Sequence, residues 1–174
     1  PYLEQEAVAA FSKPAYTATA LQTARESITL LKNDKNLLPL SANKNVLLTG
    51  PFANALSELH GAWSYSWQGN IEELYPDSLK TIAEAFQMKS AATTTVFDLN
   101  VKGWSPAALR QAAAKTDVII ICAGEAAYAE TPGNIPDLAF DSSQVAAVKL
   151  LAQTGKPIVL VLLEGRPRII REIE

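Results

Sequence analysis

The stretch DVIIICAGEAAYAETPGNIPDLAFDSSQVAAVKLLAQTGKPIVLVLLEG, residues 117–165, decides the fold predicted for this chain. It opens with the apolar run 117–123 and closes with a second apolar run, 156–165. A helix is predicted between them, beginning at Asp141 or Ser142, because Asp and Ser cap helix N-termini. Short strands that are apolar throughout and joined by a helix are typical of a parallel sheet covered on both faces.

The rest of the chain continues the same alternation of strands and helices. Further strands are predicted at 45–51 and 93–99, and further helices from Thr19, over 76–87 and over 105–115. This pattern predicts an α/β fold with a mostly parallel sheet and helices on both faces, a three-layer αβα sandwich. We assign residues 19–174 to this domain and residues 1–18 to a linker or lead-in from a preceding domain.

Composition excludes several classes of function. The chain has 174 residues, 48% of them hydrophobic, and a formal net charge of −3. Its Lys and Arg residues are scattered, which argues against a nucleic-acid partner. It has no apolar run of the roughly 20 residues that cross a bilayer, so no membrane association is expected. The single cysteine, Cys122, lies in an apolar strand and is predicted to be buried, and no Cys/His cluster indicates a metal or another cofactor.

Two long loops follow predicted strands, and the carboxyl ends of parallel strands lie at one edge of a sheet, where ligands bind. The first, the tryptophan loop (residues 52–75), contains Trp63 and Trp67. Indole rings suit the C–H faces of sugars, and Gln68 and Asn70 could bond sugar hydroxyls. Tryptophans can equally anchor a long loop to a core, and His60 alone is more often a structural hydrogen-bonding residue.

The second loop, the glutamate loop (residues 124–140), carries Glu125 and Glu130. Cleavage of a glycosidic bond needs two carboxyl groups, and one of them protonates the leaving oxygen. Surface glutamates are nevertheless common, and taken alone the residues favour a solvated or structural role. Arg166 follows the last strand, where it could bind a ligand oxygen; a salt bridge that holds the loop is the favoured role. The segment 45–54 has a single glycine, so it lacks a glycine-rich phosphate cradle, which argues against a flavodoxin-like small-molecule binder.

Four stretches, in order, resemble the second domain of family-3 glycoside hydrolases, the β-glucosidase and exo-glucanase group. They are ARESITLLKNDKNLLPL (24–40), VLLTGPFAN (46–54) with HGAWSYSWQGN (60–70), DVIIICAGEAAYAETPGN (117–134) and GKPIVLVLLEGRP (155–167). The tryptophan-bearing stretch is similar in particular to the exo-glucanase branch.

The resemblance implies roles for three residues. Glu130 matches the glutamate of the Tyr-Ala-Glu loop, which is the general acid/base of the family, and Trp63 and Trp67 match the loop that lines the aglycone side. The family's nucleophile is an Asp on a preceding (β/α)8-type barrel domain. The implied activity is that of a retaining exo-acting β-glucosidase or exo-β-glucanase, which releases glucose from the non-reducing ends of β-glucosides or β-glucan oligosaccharides. By itself, this chain is expected to be inactive.

Two departures from the family pattern accompany the resemblance. Asn134 follows Gly133 where the family often has Asp, so the position keeps its hydrogen-bonding shape and loses its charge. The family's second domain also continues past the Gly-Arg-Pro turn at 165–167, so the sandwich is expected to be incomplete at its C-terminal side. The resemblance favours a secreted or periplasmic protein. The alternative is a non-catalytic carbohydrate-binding or scaffold domain of the same fold.

Overall fold

The structure is a computed structural model that describes residues 7, 13–97 and 105–174. The chain divides into two compact units, residues 1–39 and 40–174. The first unit contains helix α1 (Pro14–Ser27), whose residues are all exposed. This helix begins earlier than the predicted Thr19, because proline is accommodated in the first turn of a helix. Residues 1–6 and 8–12 of the predicted lead-in lie outside the described residues.

The second unit alternates strands with helices, as predicted. In chain order its elements are β1 (Val46–Thr49), α2 (Ser57–His60), α3 (Ile82–Lys89), β2 (Thr94–Phe97), α4 (Pro106–Ala114), β3 (Val118–Gly124), α5 (Ser142–Ala152) and β4 (Ile158–Leu163). Short 3-10 turns occupy Glu72–Leu74 and Thr131–Gly133. The strand predicted at 93–99 is described as far as Phe97, and its last two residues lie outside the described part of the chain.

The four strands form one parallel sheet in the order β2-β1-β3-β4. On one face, buried residues of β1 and β3 pack against α4 and α5; they are Leu47, Leu109, Ala113, Ile119, Ile121, Ala147, Val148 and Leu151. Leu48 and Ile120 alternate to the opposite face and are also buried. The predicted fold class, a parallel sheet layered with helices, is therefore confirmed.

Helix α3 begins six residues later than predicted from Pro76. Thr81 is the N-cap, and its hydroxyl accepts a hydrogen bond from the Glu84 N–H while the Glu84 carboxylate accepts from the Thr81 N–H. This reciprocal capping box satisfies two amide groups that the first turn leaves unpaired. The sequence T-x-x-E at 81–84 therefore sets the start of the helix, and the proline at 76 does not.

The carboxyl ends of β1 and β3 approach closely at Gly50. This residue has φ +105°, and a Cβ atom there would lie 2.1 Å from the carbonyl oxygen of Cys122. Cys122 is buried in β3, as predicted, and burial raises the pKa of its thiol to about 12. The backbone of the tryptophan loop can therefore leave β1 across β3 only if residue 50 lacks a side chain.

Replacing Gly50 with alanine should destabilise the second unit strongly. The new methyl group meets backbone atoms of β3 that cannot move without breaking the sheet, and the positive φ adds strain. We expect a loss of about 3 kcal/mol or more in the free energy of unfolding, measured by urea denaturation. Gly155→Ala is the matched control, because Gly155 has φ +69° and a Cβ atom added to it would meet nothing within 4 Å, so this change should cost only about 1 kcal/mol. Equal losses for the two variants would contradict the close approach.

Candidate functional site

The two long loops meet at the carboxyl edge of the sheet, as predicted. The side-chain amide of Gln68 in the tryptophan loop pairs with the backbone of Ala129 in the glutamate loop. Its Nε2 donates to the Ala129 carbonyl at 3.1 Å, and its Oε1 accepts from the Ala129 N–H at 2.9 Å. The loops leave β1 and β3, the neighbouring strands at which the strand order reverses, and such a point is the usual ligand site of an open parallel sheet.

The tryptophan loop is held by a cluster of rings and by one carboxylate. The His60 ring lies 5.1 Å from that of Tyr75, and its Nδ1 is 2.9 Å from the Leu56 carbonyl oxygen. The Tyr75 hydroxyl donates to the Gly69 carbonyl at 2.7 Å. The Glu72 carboxylate accepts from the N–H groups of Leu56 and Ser57 at the start of α2. His60 therefore has the structural role that was favoured from the sequence.

The two tryptophans of this loop point away from the core. Trp63 is 69% exposed and Trp67 is 48% exposed, and their ring centroids are 6.4 Å apart at an interplanar angle of 53°. The backbone N–H of Trp63 donates to the Trp67 carbonyl at 3.0 Å, which closes the turn between them. The rings form an exposed, angled aromatic surface. Gln68, predicted as a possible ligand of sugar hydroxyls, has its amide engaged by Ala129.

Glu125 fixes the start of the glutamate loop through ion pairs. Its Oε2 accepts from Arg166 Nε at 3.1 Å and from Arg168 Nη1 at 2.9 Å, and its Oε1 accepts from the Arg166 N–H. Burial acts to raise the pKa of this carboxyl. The hydrogen bonds from Arg166 and Tyr128 and the two positive charges outweigh that effect and leave the pKa below its ordinary value of 4.5. Glu125 and Arg166 thus form the salt bridge that was expected to hold the loop.

Tyr128 is packed between two glycines that belong to different loops. A Cβ atom at Gly133 would lie 2.1 Å from the Tyr128 ring, and one at Gly165 would lie 3.0 Å from its hydroxyl. The guanidinium of Arg166 sits 4.1 Å from the centre of the same ring. Both glycines therefore leave space that the tyrosine fills, and the ring ties the glutamate loop to the turn after β4.

Glu130 follows this anchored segment and is exposed. Its backbone has φ +54° and ψ −142°, a strained conformation for a residue with a side chain. Its carbonyl accepts from the Gly133 N–H at 2.9 Å, while Ala129 before it and Gly133 after it are buried. The loop thus holds an exposed carboxyl group on a strained backbone, in a segment bounded by the buried residues Ala129 and Gly133. Asn134, also exposed, donates its backbone N–H to the Thr131 carbonyl.

A cleft of about 370 Å³ lies between the two loops and the end of β4. Its lining includes His60, Glu125 and Glu164, while Glu130 and the two tryptophans lie outside the set of described residues that line it. Burial, followed by the charge of Glu125, raises the pKa of the Glu164 carboxyl above its ordinary value of 4.5, although the backbone N–H and the charge of Arg168 oppose the shift. The structure therefore separates an inner cluster of carboxyl groups from the outer surface that bears Glu130.

The described residues show neither a metal cluster nor a membrane-spanning helix. Among them, no group of three or more His, Cys, Asp and Glu side chains is arranged to hold a metal ion. No helix in the described ranges has both the length and the apolar character needed to span a bilayer.

Comparison with known proteins relates this fold to one enzyme family. Residues 28–174 match the model of the glycosyl hydrolase family 3 C-terminal domain. The chain is 39% identical to the lysosomal beta glucosidase of Dictyostelium discoideum, over 87% of the chain. It is 31% identical to a probable exo-1,4-beta-xylosidase of Aspergillus fumigatus, also over 87% of the chain. It superposes on an exo-1,3/1,4-beta-glucanase mutant from Pseudoalteromonas with a TM-score of 0.77 and 30% identity, covering 91% of the chain.

The chain spans only a small part of these proteins. It covers 20% of the Dictyostelium protein, 19% of the Aspergillus protein and 25% of the glucanase chain. The matched region is thus a small part of each of these longer chains.

Glu125 and Glu164 should affect stability in opposite directions as pH changes. The lowered pKa of Glu125 means that its ion pairs stabilise the fold above pH 4.5 and lose that effect as pH falls through its folded pKa. We expect Glu125→Gln to lower the free energy of unfolding by about 2–3 kcal/mol at pH 7, because the two arginines lose their partner. The difference from wild type should shrink below pH 4.5.

Glu164→Gln is the matched control for this measurement. The raised pKa of Glu164 means that its ionised form destabilises the fold, and that this penalty disappears as pH falls toward 4.5. The variant should therefore be at least as stable as wild type at pH 7 in urea titrations. A loss of stability at pH 7 that matches that of Glu125→Gln would contradict the assignment of opposite roles.

Proposed function

Because this chain belongs to glycosyl hydrolase family 3, we propose that it supplies the general acid/base and an aromatic aglycone platform to a retaining, exo-acting β-glucosidase or exo-β-glucanase. The observation that carries the proposal is the amide pair between Gln68 and Ala129. It links the residue after Trp67 to the residue before Glu130. An aromatic surface and an exposed carboxyl group are thus connected at the edge of the sheet where ligands usually bind.

The choice of Glu130 over Glu125 follows from their surroundings. Glu125 is engaged by two arginines, so its carboxylate is already occupied by contacts within the protein. Glu130 is exposed and stands on a strained backbone that its neighbours hold in place. Strain of this kind persists where surrounding structure enforces it, and it is concentrated at functional sites. An outward carboxyl group can act on a substrate that a second domain holds.

In the proposed reaction, the nucleophile is an Asp of a preceding (β/α)8-type barrel domain, which also holds the terminal glucose. Glu130 donates its proton to the glycosidic oxygen as the nucleophile attacks the anomeric carbon, and the aglycone leaves. The Glu130 carboxylate then takes a proton from water, which attacks the same carbon of the covalent intermediate. Two displacements at one carbon release glucose with the β configuration retained.

Trp63 and Trp67 form the proposed platform for the aglycone. Their exposed, angled rings offer apolar faces to the C–H groups of a second sugar, and their indole N–H groups remain available to hydroxyls. The relative with 39% identity is named a beta glucosidase and the superposed structure is a beta-glucanase, which supports a β-glucoside or β-glucan oligosaccharide as the substrate.

Replacing Glu130 with glutamine tests the proposed acid/base in the enzyme that contains both domains. We expect kcat/KM to fall by about 10³-fold or more on alkyl β-glucosides, whose leaving groups need a proton, and much less on 2,4-dinitrophenyl β-glucoside. Azide should restore turnover of the activated substrate and give β-glucosyl azide, because it attacks the intermediate without base assistance.

Asp137→Asn is the matched control for Glu130→Gln, since it removes another exposed carboxyl group of the glutamate loop. This variant should keep wild-type leaving-group dependence. An equal loss on all substrates with no effect of azide would reject Glu130 as the acid/base. Unchanged activity in Glu130→Gln, with sugar binding retained through the tryptophans, would favour the alternative of a carbohydrate-binding or scaffold domain.

Replacing Trp67 with alanine tests the platform. For β-glucan oligosaccharides we expect KM to rise about tenfold, which corresponds to about 1.4 kcal/mol of binding free energy. Methyl β-glucoside should show little change, because its aglycone is too small to cover an indole ring. Ile71→Ala is the control, as Ile71 is another exposed apolar residue of the same loop. A similar change with both substrates, or the same change in Ile71→Ala, would contradict the role.

A further inference from the structure

Gln68 connects the two functional loops, and we propose that it is a positioning residue that sets the location of the Glu130 carboxyl group relative to Trp67. The inference rests on the proposed function of Glu130. It assigns to Gln68 a task distinct from sugar binding, since both ends of its amide are engaged by the protein backbone.

The hydrogen bonds of Gln68 restrain the peptide groups next to Glu130. The Ala129 N–H, which donates at 2.9 Å, belongs to the peptide group between residues 128 and 129. The Ala129 carbonyl, which accepts at 3.1 Å, belongs to the peptide group that contains the Glu130 nitrogen. Because a planar amide meets both groups in a single orientation, Gln68 fixes the plane from which the Glu130 side chain is projected.

The strained conformation of Glu130 makes this restraint necessary. A residue with a side chain at φ +54° lies about 1 kcal/mol or more above its relaxed conformations. The peptide group before Glu130 is held by Gln68, and the one after it is held by the hydrogen bond from the Gly133 N–H to the Glu130 carbonyl. Without the first restraint, the backbone of Glu130 can relax, and the carboxyl group moves with it.

The same side chain also controls the distance between the carboxyl group and the platform. Trp67 precedes Gln68, and Glu130 follows Ala129, so each functional residue is one position from a partner of the amide pair. The carbonyl of Trp67 is held in turn by the backbone N–H of Trp63. Gln68 therefore joins the backbone next to the proton donor to the backbone next to the surface that receives the leaving group.

A second glutamine provides an internal control for the chemistry of this contact. Gln144 of α5 makes the same pair of hydrogen bonds with Gly124, where the Gly124 N–H donates to Oε1 and Nε2 donates to the Gly124 carbonyl, each at 2.9 Å. This contact holds the beginning of the glutamate loop. The ion pairs of Glu125 hold the loop at a point between Gly124 and Glu130. Loss of either glutamine removes two similar hydrogen bonds, but only Gln68 restrains the peptide group of Glu130.

The test compares Gln68→Met with Gln144→Met in the enzyme that contains both domains. Methionine keeps the length of the side chain and removes both hydrogen bonds. In Gln68→Met we expect kcat/KM to fall about 10–100-fold on alkyl β-glucosides and less than about threefold on 2,4-dinitrophenyl β-glucoside, because a displaced acid matters only where protonation is needed. In Gln144→Met we expect a fall in melting temperature similar to that of Gln68→Met. The dependence of kcat/KM on the leaving group should stay as in the wild type.

A double variant separates this inference from the function on which it rests. If Gln68 acts through Glu130, adding Gln68→Met to Glu130→Gln should cause no further loss on alkyl β-glucosides. A normal Glu130→Gln enzyme would reject the proposed function. If Glu130→Gln is defective but the losses of the two single variants add in the double variant, only the role of Gln68 is rejected. The same holds if Gln68→Met loses equal activity on both substrates. If Gln68→Met is too unstable to assay, Gln68→Glu keeps the acceptor for the Ala129 N–H but places a second acceptor against the Ala129 carbonyl, so it should also give a leaving-group effect. Wild-type behaviour of this variant would reject the role.

Discussion

The close backbone contact between β1 and β3 at Gly50 is the constraint on which the rest of the second unit depends. It permits the chain that leaves β1 to pass directly against the backbone of β3. The buried apolar side chains on both faces stabilise the sheet, yet they do not determine where the loops go. That direction follows from the point at which the strand order reverses, and both candidate functional loops begin there.

The loops themselves are held mainly by polar contacts. The tryptophan loop uses the carboxylate of Glu72 and a cluster of rings around Tyr75, and the glutamate loop uses the ion pairs of Glu125. Such contacts are directional, so they fix a conformation more narrowly than apolar packing does, whereas their net contribution to stability is modest. A loop held in this way can keep an exposed, strained residue such as Glu130 in one orientation while the surrounding surface remains open to a substrate.

Much of the fold followed from the sequence, because its signals are local. Continuous apolar runs located β3 and β4, and the Ser105-Pro106 pair located the start of α4. The start of α3 was predicted wrongly because the proline at 76 was given more weight than the T-x-x-E capping box, a signal that was present. A salt bridge of Arg166 was foreseen from its place after a strand, whereas its partner, Glu125, was identified only by the structure. The pairing of Gln68 with Ala129 could not be foreseen, because its partners are 61 residues apart and one is a backbone group. The positive φ of Glu130 likewise has no local signature, since the residue is not glycine.

The packing of Tyr128 between Gly133 and Gly165 also bears on how far the glutamate loop can be treated as a portable module. The loop reaches its conformation only against a glycine and an arginine that follow β4, and neither belongs to the loop. Transplanting residues 124–140 onto another sheet would bring the carboxyl group without the surface that shapes its support. A successful graft would have to carry the turn after the neighbouring strand as well, so the smallest transferable unit spans two strand ends.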